Sequence, residues 1–164
     1  MNLETTIIGA IMLVLFLVPF VFLSGSTKSK EKKLLQSLSG IAGKYNCKVT
    51  QHEISREQII GLDESANFVF FFKKVNGQEI VQHINLSEIQ QCTVINLNRT
   101  LKNKKSSQQI IDKLGLNFIP VDKSKPETLL EFYTSENNQQ LNGELDLIEK
   151  WAKIVNNKLK LRKS

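Results

Sequence analysis

The stretch Asn67–Asn85, NFVFFFKKVNGQEIVQHIN, decides the fold. Its first half, Asn67 to Val75, is dense in aromatic and β-branched side chains, the composition of a strand packed on a pleated surface. Asn76-Gly77 supplies two residues that tolerate positive φ, which a two-residue type I′ turn requires, and Gln78 to Asn85 returns as a second strand. Such a loop sets the register: Val75 opposite Gln78, Lys74 opposite Glu79, Phe72 opposite Val81 and Phe70 opposite His83. The opposed charges of Lys74 and Glu79 agree with it. Alternation places Phe70, Phe72 and Val81 on one face and Val69, Phe71, Ile80 and Ile84 on the other. A sheet with one wet face shows cleaner alternation, so the second face calls for a cover.

Upstream, Lys30 to Asn46 is the cheapest cover. Leu34, Leu38, Ile41, Ala42 and Tyr45 recur at helical spacing, although Gly40 and Gly43 each weaken a helix by roughly 1 kcal/mol relative to Ala. A partner protein is the alternative. Between this helix and the hairpin, Lys48 to Ile54 and Gln58 to Leu62 read as short strands, with Asp63-Glu64 in the turn that follows.

Downstream, strands are expected at Gln91 to Asn98, Gln109 to Val121 and Thr128 to Thr134. SQQIIDKL could also begin as a helix, and Pro120 ends its strand or places it at an edge. Arg99-Thr100-Leu101-Lys102-Asn103-Lys104-Lys105 reads as an exposed basic loop. The chain closes with a helix capped by Asn142, with Glu144 and Asp146 in its first turn and Lys158, Lys160, Arg162 and Lys163 in its last. Leu145, Ile148, Ala152, Val155 and Leu159 make its apolar stripe, beside Trp151.

At the other end, Ile7 to Leu23 is a 17-residue run without a charge, followed by Lys28, Lys30, Lys32 and Lys33. As a helix it spans roughly 25 Å, enough for a single membrane pass, and Gly9 and Pro19 are tolerated there. A cleaved signal peptide is the competing reading. It fits poorly, because Glu4 and no basic residue precedes the run and the run is long. The lysines all lie on the C-terminal flank, which places the N-terminus outside and the remainder in the cytoplasm. That remainder carries all 22 basic residues and 15 acidic ones, a net of +7. The linker Ser24–Thr27 reaches at most about 14 Å, so the domain sits against the bilayer. Division into an anchor and linker (1–27), an amphipathic helix (28–46) and one domain (47–164) follows. Cys47 and Cys92 suit a reducing compartment, though an even count also permits one disulfide.

The order of seven short antiparallel strands and a C-terminal helix resembles the pleckstrin-homology-like (PH-like) fold, over roughly residues 47–160. Asn85-Leu86-Ser87-Glu88-Ile89 is similar to the strand–turn–strand passage of bacterial PH-like and GRAM-type domains. Glu149-Lys150-Trp151-Ala152-Lys153-Ile154 resembles their Trp-bearing helix. The resemblance implies an α+β protein: a transmembrane helix and an amphipathic helix, then a sandwich or barrel closed by a helix in which the indole packs on the sheet. A different α+β sandwich and a lipocalin-like barrel are the other folds this order allows. Phosphoinositide-binding members carry a Lys on strand one and an Arg-containing pair on strand two. Lys48 and Arg56 correspond to these here, but Glu57 and Gln58 follow Arg56 where a second base is wanted, so the resemblance implies the fold and not specific inositol phosphate binding.

Catalytic patterns are sparse. The chain has two histidines, His52 and His83; with Cys47 and Cys92 they form a set that could in principle hold zinc, but the spacing matches no compact finger. No GxGxxG, P-loop, GxSxG or HExxH occurs. The expectation is therefore a non-catalytic binding or scaffold module without cofactor or metal, at the cytoplasmic membrane surface, with an unidentified protein partner and no nucleic acid. An accessory subunit of a membrane complex and an enzyme are the alternatives. The residues expected at anionic headgroups are Lys28, Lys30, Lys32 and Lys33, with Arg99, Lys102, Lys104 and Lys105.

Overall fold

The computed structural model describes residues 28–103, 106–137 and 140–163, and the apolar run Ile7–Leu23 lies outside them. Among the described residues no helix is long and apolar enough to cross a membrane. A helix over residues 28–43, α1, comes first. Strands β1 (Gln51–Ser55), β2 (Gln58–Asp63), β3 (Phe68–Val75) and β4 (Gln78–Asn85) then form a four-stranded sheet in sequence order. A turn of 3₁₀ helix, Leu86–Glu88, leads to β5 (Ile89–Asn103), β6 (Ser106–Pro120) and β7 (Thr128–Thr134), a three-stranded sheet also in order. The helix α2 (Glu144–Lys163) closes the chain. Every pairing is antiparallel, so the protein is α+β with two antiparallel sheets and a C-terminal helix.

The central hairpin has the expected register, including Lys74 opposite Glu79 and Phe70 opposite His83. Its turn residues Asn76 and Gly77 take φ of 50° and 81°, the two positive values that a type I′ turn demands. Both faces of the four-stranded sheet are covered. Ile60, Leu62, Val69, Phe71 and Ile84 point into a core shared with the second sheet and α2, built on Leu114, Leu116, Phe118, Phe132, Ile148 and Trp151. Ile59, Phe70 and Phe72 point the other way, against Leu34, Leu38 and Ala42 of α1. The second apolar face is thus closed from within the chain. Gly61 helps seat α1, since a β-carbon there would stand 2.6 Å from Leu38 Cδ2. Ile80 and Val81 differ from expectation: they are 43% and 47% exposed, because β4 is an edge strand and its turn-proximal half has no neighbour layered on it.

Other boundaries are set by the structure. The basic loop from Arg99 is not a loop as far as Asn103: β5 runs on to that residue, pairing Arg99 with Ile110 and Lys102 with Ser107. β7 accompanies β6 only as far as Lys113, so beyond that point β5 and β6 form a two-stranded arm. Arg99 and Thr100 are exposed, so this end of β5 shows no apolar alternation and reads as loop. SQQIIDKL, which its sequence leaves open to a helical reading, is strand throughout. At α2, Gly143 is the cap in place of Asn142: its carbonyl accepts the first helical bond, from Leu147 N–H at 3.1 Å, and its φ of 86° is one that glycine adopts readily. Tyr45 lies past the end of α1, where it stacks beside Phe68 and His83.

Candidate functional site

The first turns of α1 and two hairpin turns meet at one end of the molecule. Leu34, Leu38 and Ala42 fix the rotation of α1 by facing the sheet, which leaves Lys28, Lys30, Lys32 and Lys33 exposed. Lys30 and Lys33 line a cleft of about 430 Å³ together with Arg56 and Glu57 from the β1–β2 turn and Lys74 and Glu79 from the central hairpin. Leu34 and Phe72 form its apolar floor. Lys28 and Lys32 do not line it.

The cations around the cleft are held differently. Arg56 sits at φ 56° in its turn, and its Nε forms an ion pair with Glu144 Oε1 at 3.2 Å while Nη2 donates to the Gln140 carbonyl. Glu144 is buried and also accepts from Ser55 Oγ at 3.3 Å and from the Asn142 N–H. Arg56 thereby ties the β1–β2 turn to the start of α2. Lys74 Nζ lies 4.0 Å from Glu79 Oε1, with both side chains at least half exposed, so the pair is weak and easily exchanged. Lys30 and Lys33 make no ion pair among the described residues.

Behind this end, between the sheets, lies a buried amine. Lys73 is 4% exposed, and its Nζ donates to the Glu131 carbonyl at 3.1 Å. Burial pushes its pKa down; the Glu131 charge opposes that and Lys113 adds to it. Lys113 itself pairs with Glu131 Oε2 at 2.9 Å. These contacts place the base of the β5–β6 arm at the same end as the cleft, since the arm begins just beyond Lys113.

The expected headgroup residues therefore divide. The α1 lysines gather at the cleft end, two of them in its wall. Arg99 lies on the arm, outside the cleft, paired through Nε to Asp112 Oδ1 at 3.0 Å. Lys104 and Lys105 lie outside the described residues, and so does the side chain of Lys102. Lys48 and Arg56 flank opposite ends of β1, so they form no pair; the Lys48 N–H instead donates to Asp63 Oδ2 at 2.6 Å. Lys74 and Glu79 were legible as a cross-strand pair, but their place in a cleft was not, because the opposing wall comes from α1.

The cysteine–histidine set does not converge. Cys47 packs with the cluster under α1, while Cys92 is buried between the sheets, where burial pushes its thiol up to about 12. His83 shares a hydrogen bond with the Tyr45 hydroxyl at 3.1 Å. Among the described residues no three His, Cys, Asp or Glu side chains group as metal ligands. A second cleft, of about 380 Å³, lies at the far end of α1 between Tyr45, Phe68, His83, Pro120 and Pro126.

Comparison with protein-family models, with curated proteins and with solved structures finds no match to this chain.

Proposed function

We propose that this protein is a membrane-anchored, non-catalytic binding module: a PH-like sandwich held at the cytoplasmic bilayer surface by Ile7–Leu23, where it engages a protein partner. One observation carries the reading. The helix that follows the apolar run and its four-residue linker is a packed layer of the domain, through Leu34, Leu38 and Ala42. Its exposed lysines are thereby held at a defined end of a rigid body, next to the anchor. The four-plus-three meander with a C-terminal helix supports the PH-like assignment. Since α1 covers the outer face, the surface offered to a partner is the β4 edge, where Ile80 and Val81 are exposed beside unpaired strand backbone.

The topology is tested in intact cells with single cysteines at Asn2→Cys and Ser26→Cys, in full-length protein carrying Cys47→Ser. A membrane-impermeant maleimide should label position 2 and spare position 26. Labelling of position 26 from outside refutes the cytoplasmic placement. For the partner surface, Val81→Glu should abolish recovery of a co-purifying protein in mild detergent; unchanged recovery refutes the β4 edge.

A further inference from the structure

We propose that two copies of this chain pair through their β4 edges, antiparallel about a two-fold axis at Val81. This rests on the partner surface proposed above and makes its occupant a second copy. The hairpin register fixes which backbone groups are on offer. Val75 and Gln78 flank a two-residue turn and so form a hydrogen-bonded pair, after which Gln78, Ile80, Gln82 and Ile84 turn their N–H and C=O groups to β3. Glu79, Val81 and His83 turn theirs outward, and all three residues are exposed. Among the described residues no further strand or loop hydrogen-bonds those outward groups. The edge also lacks the usual guards: over its 8 residues β4 has no Pro, no Lys and no bulge against β3.

The order of side chains along this edge is self-complementary. A two-fold axis normal to the sheet opposes residues of like face, so it passes through a residue and its own copy. Centred on Val81, it sets Glu79 against the partner's His83 and His83 against the partner's Glu79, with the two Val81 side chains between them. Centring on Ile80 sets Glu79 against Val81, and centring on Gln82 sets it against Asn85; neither supplies a base. Nδ1 of His83 already shares a hydrogen bond with the Tyr45 hydroxyl. With Nδ1 as the acceptor, Nε2 carries the hydrogen and donates to the Glu79 carboxylate. Lys74 holds Glu79 at only 4.0 Å, an exposed pair that yields readily. On the other face the exposed Ile80 meets its own copy diagonally. The anchor agrees with this symmetry. α1 packs on Ile59, Phe70 and Phe72 of β2 and β3, and an axis normal to the sheet keeps both copies of α1 on one face. Two anchored chains enter one bilayer symmetrically only about an axis along its normal, which this arrangement provides. Confinement to the membrane raises the effective concentration, so a short strand pair suffices.

The test is a cysteine cross-linking scan of the full chain carrying Cys47→Ser, in membranes, with copper phenanthroline as the oxidant. Glu79→Cys, Val81→Cys and His83→Cys are compared, with Lys153→Cys, exposed on α2, as the collision control. Directly opposed residues in such a pair have Cα atoms about 5.5 Å apart, within disulfide reach. The two copies of residue 79, or of residue 83, stand roughly 15 Å apart. The disulfide-linked dimer should therefore peak at position 81 and be low and equal at 79 and 83. Equal yields at 79 and 81, or at 81 and 83, overturn the register. Added to Val81→Cys, Glu79→Lys should lower the yield about fivefold, and Glu79→Lys with His83→Glu should restore it. Failure to restore it overturns the contact between Glu79 and the partner's His83. A yield at position 81 no higher than at the control overturns the homodimer. A different protein whose recovery Val81→Glu abolishes would then leave the edge reading standing, and unchanged recovery would sink both.

Discussion

The side chain of Asn156 pairs with both backbone groups of Cys92: its Nδ2 donates to the Cys92 carbonyl at 2.7 Å, and its Oδ1 accepts from the Cys92 N–H at 3.0 Å. β5 is the edge of its sheet, and α2 lies along it, so a helix side chain takes the place of a missing strand at that residue. Six residues on, Arg162 donates to the Leu86 and Ile89 carbonyls and closes the connection between the sheets. Replacing Asn156 by Ala leaves a part-buried donor and acceptor unpaired and should cost about 1–3 kcal/mol in urea denaturation. Amide exchange at Cys92 should accelerate more than at neighbouring β5 residues. A neutral result with unchanged exchange would show that water replaces the amide at no cost.

Trp151 is fully buried between the sheets, and its Nε1 donates to Glu53 Oε2 at 3.1 Å, where Lys150 Nζ also arrives at 2.8 Å. Trp151→Ala should destabilise the protein by about 3–5 kcal/mol. Trp151→Phe keeps most of the ring but strands one lone pair of Glu53, and should cost clearly less. Equal losses for the two variants would contradict a packing-dominated role.

Two glycine substitutions should act in opposite directions. A β-carbon at Gly40, within α1, meets nothing within 4 Å, so Gly40→Ala should raise stability by up to about 1 kcal/mol. At Gly115 the same carbon would lie 2.6 Å from the Leu130 carbonyl oxygen, a backbone atom of the paired strand. Gly115→Ala should therefore destabilise by about 1–3 kcal/mol. Thermal melts of the pair check both signs.

Asp63 sets an acid limit. Burial alone would raise its pKa, but hydrogen bonds from Ser65 Oγ and from the Ala66, Lys48 and Ser65 N–H groups outweigh that and lower it from 3.8 to about 2. A depressed folded pKa gives stability that is complete above the unfolded value and is lost as pH falls from about 4 towards 2. The contribution is on the order of 2 kcal/mol. Asp63→Asn should be less stable at neutral pH and show a flatter acid limb. Parallel limbs in the two proteins would assign the acid sensitivity to other carboxylates.

Much of the fold was legible because its rules are short-range. Alternation in Asn67–Val75, positive φ at Asn76-Gly77 and the apolar spacing of Leu34, Leu38 and Ala42 each act within a few residues, and each element formed where they point. Polar strands escaped for the converse reason: Arg99 and Thr100 are exposed and the stretch to Asn103 has no alternating apolar residues, so only pairing with β6 makes it strand. The cleft was half legible. Its lysines stood out as a run, but Arg56 and Lys74 looked like ordinary turn and strand residues.

The amino-acid sequence by itself determined the apolar run with its lysine flank, the hairpin register and the apolar character of both sheet faces, because side-chain type and spacing suffice for each. The tertiary structure alone decided what covers the second face and where the charges meet. Glu144 joins Ser55 across 89 residues and Trp151 joins Glu53 across 98, contacts that follow from how whole layers pack and leave no trace in local pattern. The same packing rotates α1 so that Lys30 and Lys33 face Lys74 across a cleft, while Lys28 and Lys32 remain outside it.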